Sequence, residues 1–363
     1  MVKISLDNPV GEACIEQHRK AYQVLGRVLE DLANGKEVYT IGRSGKRKIL
    51  ARASNKYTVA RKYYTKLKDL CGDFPCLAPE DIHRVVSEVN RHEVTLNKKG
   101  MKKARRILAR IYSYEKFGKG MSPKYKDGVL SWEVNPNGWG AWEFIRKLGI
   151  RSCVYCNAET IFSLLMTNKL PGSDKVPQYS ETHKRSALDH FYSHSKYPFL
   201  GITLSNLVPA CTRCNTNVKG AKELGSEEYV YPYSDSFHSG AKFAIAYKSG
   251  RCVMDMCESD IHIAILSKDD SPLSKKALKS AGFFHLPEVY NQLYKQDALT
   301  VLKRTTAFPQ TYRDFLSHKY PGIKEVDLDY VCRGSSLDAS DILSHNLSKL
   351  TIDIEQQFGN DSQ

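Results

Sequence analysis

The chain has 363 residues, is 41% hydrophobic and 26% charged, and carries a formal net charge of +14. That length is enough for a sizeable core and two or three domains. No run reaches membrane-spanning length, and Met1–Gln17 lacks the apolar core of a secretory signal, which argues against membrane and secreted classes. The expectation is a cytoplasmic protein in which Cys14, Cys71, Cys76, Cys252, Cys257 and Cys332, none at metal-ligand spacing, are free thiols. The charge is uneven. Residues 36–126 hold 24 Lys and Arg against 8 Asp and Glu, an excess of +16, while the rest of the chain stands at −2. So lopsided a segment points to a polyanion partner, nucleic acid first; the alternative is a solvated helical surface.

In chain order, Ile15, Tyr22, Leu25, Leu29 and Leu32 share a helix face that Asn34-Gly35 ends. Glu37 to Arg47 reads as a basic connector, and Ile49 to Leu70 as a second helical stretch. Pro79-Glu80-Asp81 has the form of a helix start. A helix is expected from about Lys98 to Lys116. Met101, Ala104, Leu108 and Ile111 make its apolar stripe, and Lys99, Lys103, Arg106 and Arg110 make a basic stripe at a period that can track a phosphate backbone. Met121 to Gly140, rich in Pro, Gly and Asn, reads as a linker pinned to the core by Trp132 and Trp139, with base stacking by these rings as the alternative. Ala141 to Leu148 should be a short helix. After Lys219, residues 242–247 and 252–257 suggest a hairpin, with Ile261 to Leu266 as a third strand. Residues 271–280, 286–306 and 338–358 read as helices.

The central stretch carries the chemistry. Cys153 and Cys156 form one Cys-x-x-Cys pair, and Cys211 and Cys214 form another. Two such pairs are a zinc signal, and four thiolates close a tetrahedral structural site with no open position. Between the pairs, Arg185 to Tyr192 reads as a strand ending in Asp189-His190, Ile202-Thr203-Leu204 as a second strand followed by Asn206, and Cys211 to Leu224 as a helix. That helix would set Asn215 and Lys219 one turn apart on one side.

This stretch resembles the HNH endonuclease superfamily, the ββα-metal fold. The resemblance rests on Leu188-Asp189-His190, Tyr197-Pro198, Asn206-Leu207 and Pro209-x-Cys-x-x-Cys-Asn215-x-x-x-Lys219, and it covers residues 148–235. The third position is Asn215 where the name-giving members have His, as in the HNN variants. The resemblance implies a DNA endonuclease leaving 5′-phosphate and 3′-hydroxyl ends, with Asn206 bonding across the loop to orient His190. The general layout also resembles the Septu-type antiphage nucleases, which implies an ATPase partner.

The residue chemistry agrees with that reading. His190 can take a proton from water near neutral pH. Asp189 and Asn215 offer oxygens suited to Mg²⁺ or Mn²⁺, which would sit on the phosphate and the leaving oxygen. Arg213 and Lys219 are candidates for flanking phosphates. The expected architecture is α+β and mostly helical: a basic nucleic-acid-binding region at 1–126, a linker at 127–147, the zinc-stapled nuclease unit at 148–235, and a C-terminal region at 236–363. The substrate expected is DNA, with RNA left open and no membrane involved. The alternative is a zinc-dependent nucleic-acid-binding module that does not cut.

Overall fold

Helices form where apolar spacing follows a polar cap. In the structure, a computed structural model describing residues 2–42, 44–93, 96–135, 137–170, 178–225 and 227–359, Asn8 caps α1 (Pro9–Tyr22) by accepting from the Gly11 amide. After a break at Gln23 comes α2 (Val24–Ala33), and Gly35, at φ +77°, turns the chain away.

The stretch expected to be a connector and the start of a helix is instead a hairpin of β1 (Val38–Ile41) and β2 (Arg47–Ala51). Thr40, Ile41 and Ile49 are β-branched, and Gly45, at φ +75°, makes the turn. Helix α3 (Val59–Leu70) begins only where the Thr58 hydroxyl caps it. Then come α4 (Pro79–Glu93), with Glu80 and Asp81 in its first turn, and α5 (Lys98–Ile111), capped by Asn97. The helix expected to reach Lys116 stops at Ile111, and Ser113 caps a separate turn, α6 (Tyr114–Gly118).

Met121 to Gly140 is no bare linker. It contains β3 (Met121–Lys126) and β4 (Val129–Val134), joined by Asp127 and Gly128, both at positive φ. This two-residue Asp-Gly turn matches the twist of an antiparallel pair. The four strands form one sheet in the order β2-β1-β4-β3, with β1 and β4 parallel. Trp139 is fully buried, its indole N–H donating to His18 Nδ1 at 2.9 Å, so it does pin the segment to the core. Helix α7 (Ala141–Leu148) spans the residues expected and ends at Gly149, at φ +66°.

A hairpin of β5 (Ser163–Leu170) and β6 (Gln178–Arg185) precedes the short antiparallel pair β7 (Ala187–His190) and β8 (Leu207–Ala210). A π-helical turn, Arg213–Lys219, follows. Beyond α8 (Phe237–Gly240), β9 (Ala241–Tyr247) pairs with β10 (Ile261–Ser267). The segment read as a third strand is therefore the partner, and Cys252–Cys257 lies in the connection, where Val253–Asp255 forms a 3₁₀ turn. Helices α9 (Pro272–Phe283), α10 (Leu286–Leu293), α11 (Lys295–Ala307), α12 (Gln310–Lys319) and α13 (Glu325–Arg333) follow. The last helix, α14 (Ser348–Phe358), starts ten residues later than its expected start at 338, because Leu347 sits at φ +62°.

The fold is α+β. One apolar cluster runs from Ile4 to Ile354 and buries the β7–β8 pair between N-terminal and C-terminal elements. Thr203 and Ser205 donate to the carbonyls of Phe74 and Leu77, and Tyr290 donates to Cys156. None of the ten cysteines is in a disulfide, and among the described residues no helix is long and apolar enough to cross a membrane.

Candidate functional site

Cys153 and Cys156 lie in the turn after α7, and Cys211 and Cys214 lie where β8 runs into the π-helical turn. All four are buried, and their sulfur atoms lie within 4.8 Å of one another. The Cys211 and Cys214 amides donate to Cys153 Sγ at 3.3 Å and Cys211 Sγ at 3.4 Å. The cluster can hold a structural metal such as zinc. Among the described residues it is the one group of three or more His, Cys, Asp or Glu side chains close enough to share an ion.

Arg213, a candidate for a flanking phosphate in the sequence, lies beside this cluster. Its Nε donates to Glu159 Oε1 at 2.8 Å, and both Nη atoms are buried without a hydrogen-bond partner among the described residues. Burial works against its charge, but Cys214, Glu159, Cys156 and Cys211 outweigh burial and raise its pKa. A cation here offsets the net negative charge of a four-thiolate metal centre.

On the other side of β7 opens a cleft of about 360 Å³, lined by Tyr114, Asp189, His190, His194, Asn215 and Lys219 among others. The β7–β8 register sets Asp189 opposite Val208 and His190 opposite Leu207. Asp189 is 3% exposed, and both of its oxygens are engaged. Oδ1 accepts from Lys219 Nζ at 3.0 Å and Oδ2 from the Tyr155 hydroxyl at 2.5 Å. Burial raises its pKa against the opposing charge of Lys219 and the Tyr155 bond. Lys219 also donates to the His190 carbonyl at 2.8 Å and is 2% exposed. It is thus an internal tie, and a role in holding flanking phosphates does not follow from its position.

His190 Nε2 sits 2.9 Å from the Gly201 carbonyl. A carbonyl only accepts, so Nε2 carries the proton and Nδ1 keeps a lone pair. The ring is flanked by Tyr114 edge-on at 4.6 Å and His194 at 4.3 Å. Burial first, then His194 and Lys219, push its pKa down to about 3, so the imidazole is neutral at physiological pH.

Asn206 is fully buried and clasps the loop between the two strands. It accepts from the Tyr192 amide at 2.8 Å and donates to the Tyr192 and Leu200 carbonyls at 2.9 and 3.2 Å. The second strand begins after Asn206, at Leu207. The expected strand 202–204 is a turn tied to the N-terminal helices, with Ile202 O bonded to His18. The expected helix from Cys211 to Leu224 is shortened to Arg213–Lys219. It is widened by one residue per turn, the Gly220 amide donating to Asn215 O at 2.8 Å, an i→i+5 bond. The wider turn still brings Asn215 and Lys219 into the same cleft. The Asn215 side chain makes no hydrogen bond among the described residues.

Lys99, Lys103, Arg106 and Arg110 are all exposed on α5 and without a carboxylate partner among the described residues, but they border different grooves. Only Arg106 borders the groove that also touches His194. The sequence reading passed over Tyr155 and Tyr114, and it gave His194, which lies against His190 in the cleft, a surface or loop role. Tyr155 had a signal, because it stands inside the first cysteine pair. Tyr114 comes from 75 residues upstream of Asp189 and had none. His183 stacks on Trp142 at 4.3 Å, outside the cleft. No protein-family model, no curated protein and no solved structure matches the chain.

Proposed function

We propose that the chain is a metal-dependent nuclease of the HNH type that hydrolyses phosphodiester bonds in DNA. The observation that carries this reading is that Asp189, His190 and Asn215 line one small cleft beside the four-cysteine cluster, with Asn206 bracing the loop between them. The oxygen donors suit a hard divalent cation: Asp189 is a carboxylate, and the Asn215 amide has no hydrogen-bond partner among the described residues. Mg²⁺ or Mn²⁺ held there would supply charge relief to the scissile phosphate and the leaving 3′-oxygen. One condition attaches, namely that Lys219 must yield Asp189 Oδ1, 3.0 Å away.

The chain's own groups then have distinct tasks. His190, neutral and with Nδ1 unprotonated, takes the proton from the attacking water, while its Nε2–H keeps donating to the Gly201 carbonyl and fixes the ring. A group this buried is a weak base in the free protein. The incoming phosphate, an anion beside it, raises its proton affinity when it is needed. Tyr114 and His194 border the ring.

A second reading has a specific observation behind it. Both Asp189 oxygens are taken by protein donors, as in a buried structural ion pair. On that reading the module binds nucleic acid without cutting it. Incubating supercoiled plasmid with the protein in Mg²⁺, Mn²⁺ or EDTA separates the two. Cation-dependent nicking or linearisation supports the nuclease, and intact plasmid in every condition supports the binding module.

A further inference from the structure

Beside the cleft lies a larger groove of about 930 Å³, between the end of α4, the face of α5 and the loop after β7. It shares His194 and Ser195 in its lining with the cleft that holds Asp189 and His190, so the two adjoin. Its rim carries Lys98, Lys102, Arg105 and Arg106. Arg105 is paired with Glu93. Lys98, Lys102 and Arg106 are exposed and have no carboxylate partner among the described residues. Three uncompensated cations on one wall raise the local concentration of a polyanion. The floor, by contrast, is mostly apolar, with Leu96, Met101 and Pro198.

We propose that this groove takes an unpaired DNA strand as it leaves the cleft, with phosphates on Lys98, Lys102 and Arg106 and bases against the apolar floor; the proposal rests on the nuclease reading of the cleft. The combination is what selects a single strand. A duplex turns its bases inward and would meet the rim with phosphates alone, leaving the apolar floor unused. An unpaired strand satisfies both surfaces, the arrangement that strand-binding grooves share. The basic stripe evident in the sequence, Lys99, Lys103, Arg106 and Arg110, is largely not this surface. Lys99 and Lys103 border a separate groove against α3, on the other flank of α5.

The test is fluorescence anisotropy with the full chain and a short fluorescein-labelled oligothymidylate. Its annealed duplex and the matching RNA strand serve as parallel probes, all without added Mg²⁺ or Mn²⁺ so that nothing is cut and the zinc is kept. Replacing Lys98, Lys102 and Arg106 together with Ala should weaken single-strand binding at least tenfold. It should also flatten the plot of log affinity against log salt by about 2, from roughly 0.7 for each lost phosphate contact on a single strand. Ala109→Trp, a bulky residue on the exposed part of the same wall, should weaken binding with no change of salt slope. Lys99→Ala with Lys103→Ala should leave single-strand binding in place. The proposal falls if the triple variant keeps wild-type affinity and slope, if duplex is bound as tightly as the single strand, or if RNA is preferred. Plasmid cleavage is scored separately. Strand binding that depends on the groove, in a protein that never cuts, would sink the nuclease reading and leave the groove standing. Cleavage with an inert groove would do the reverse.

Discussion

Replacing Lys219 with Met probes the tie at the centre of the cleft. The Lys219 and Asp189 side chains are 2% and 4% exposed, and their ion pair spans 3.0 Å. Removing one partner of a buried pair strands the other charge, which typically costs about 3–5 kcal/mol. Asp189 keeps the Tyr155 hydroxyl at 2.5 Å, so the loss should fall near the lower bound, about 3 kcal/mol. The assay is urea denaturation of wild type and Lys219→Met, each in EDTA and in saturating Mg²⁺. In EDTA the variant should show that loss. In Mg²⁺ it should regain more than the wild type gains, because the cation no longer competes with an ammonium group for Asp189 Oδ1. A cation present at a hundredfold its Kd contributes about 2.7 kcal/mol, enough to be measured. The double variant Asp189→Asn with Lys219→Met should be less destabilised than the single variants together imply, since no buried charge remains unpaired. A Lys219→Met protein within about 1 kcal/mol of wild type in EDTA, the size of a surface pair, would refute the claim of a buried tie. Identical Mg²⁺ responses in the two proteins would refute the competition.

Other outcomes follow from the same geometry. Cys211→Ser should lose zinc by elemental analysis and unfold the β7–β8 region, because metal binding and local folding are coupled; zinc-free wild type that is fully folded would contradict this. Asn206→Ala should slow cleavage with little change in the metal concentration needed, because it holds the loop and touches no proposed ligand, whereas Asn215→Ala should raise that concentration. His18 is buried, with Nδ1 accepting from Trp139 and Nε2 against the Ile202 carbonyl, and burial pushes its pKa down to about 3. The unfolded chain therefore binds the extra proton first. The stability from neutral His18 is fully present above about pH 6.5 and is lost as pH falls toward 3, with a slope approaching 1.4 kcal/mol per unit from this residue. Thermal melts of wild type and His18→Gln across that window should show the variant less acid-sensitive, and parallel curves would count against the assignment.

What could be read in the chain was local. The cysteine pairs, Asp189-His190 at a strand end and the cap-bounded helices all depend on near neighbours, and the structure has them. The misreadings have identifiable causes. Asp127-Gly128 signalled a hairpin, but the surrounding Pro, Gly and Asn made the stretch look like a linker. The strand after the Asp-His step moved from 202–204 to 207–210 because Thr203 and Ser205 spend their hydroxyls on the backbone of residues 74 and 77, contacts across more than 120 residues. β9 pairs across a 13-residue connection and not through the tight turn at Lys248-Ser249-Gly250. Lys219 looked like a surface cation because helical spacing gives a side and not a depth. Whether it faces solvent or Asp189 is decided by the π-helical turn, and a composition or periodicity argument has no purchase on one extra residue in a turn.

The most direct measurement of the central claim is plasmid cleavage by purified His190→Ala beside wild type, in Mg²⁺, with zinc content and DNA binding measured on the same samples. His190 reaches none of the proposed ligands of either metal, so the variant should keep its zinc and its affinity for DNA. Its cutting should fall by about 10²–10⁴-fold, the usual contribution of a positioned general base. A His190→Ala protein that cuts at the wild-type rate would contradict the account and remove the chemistry from this cleft.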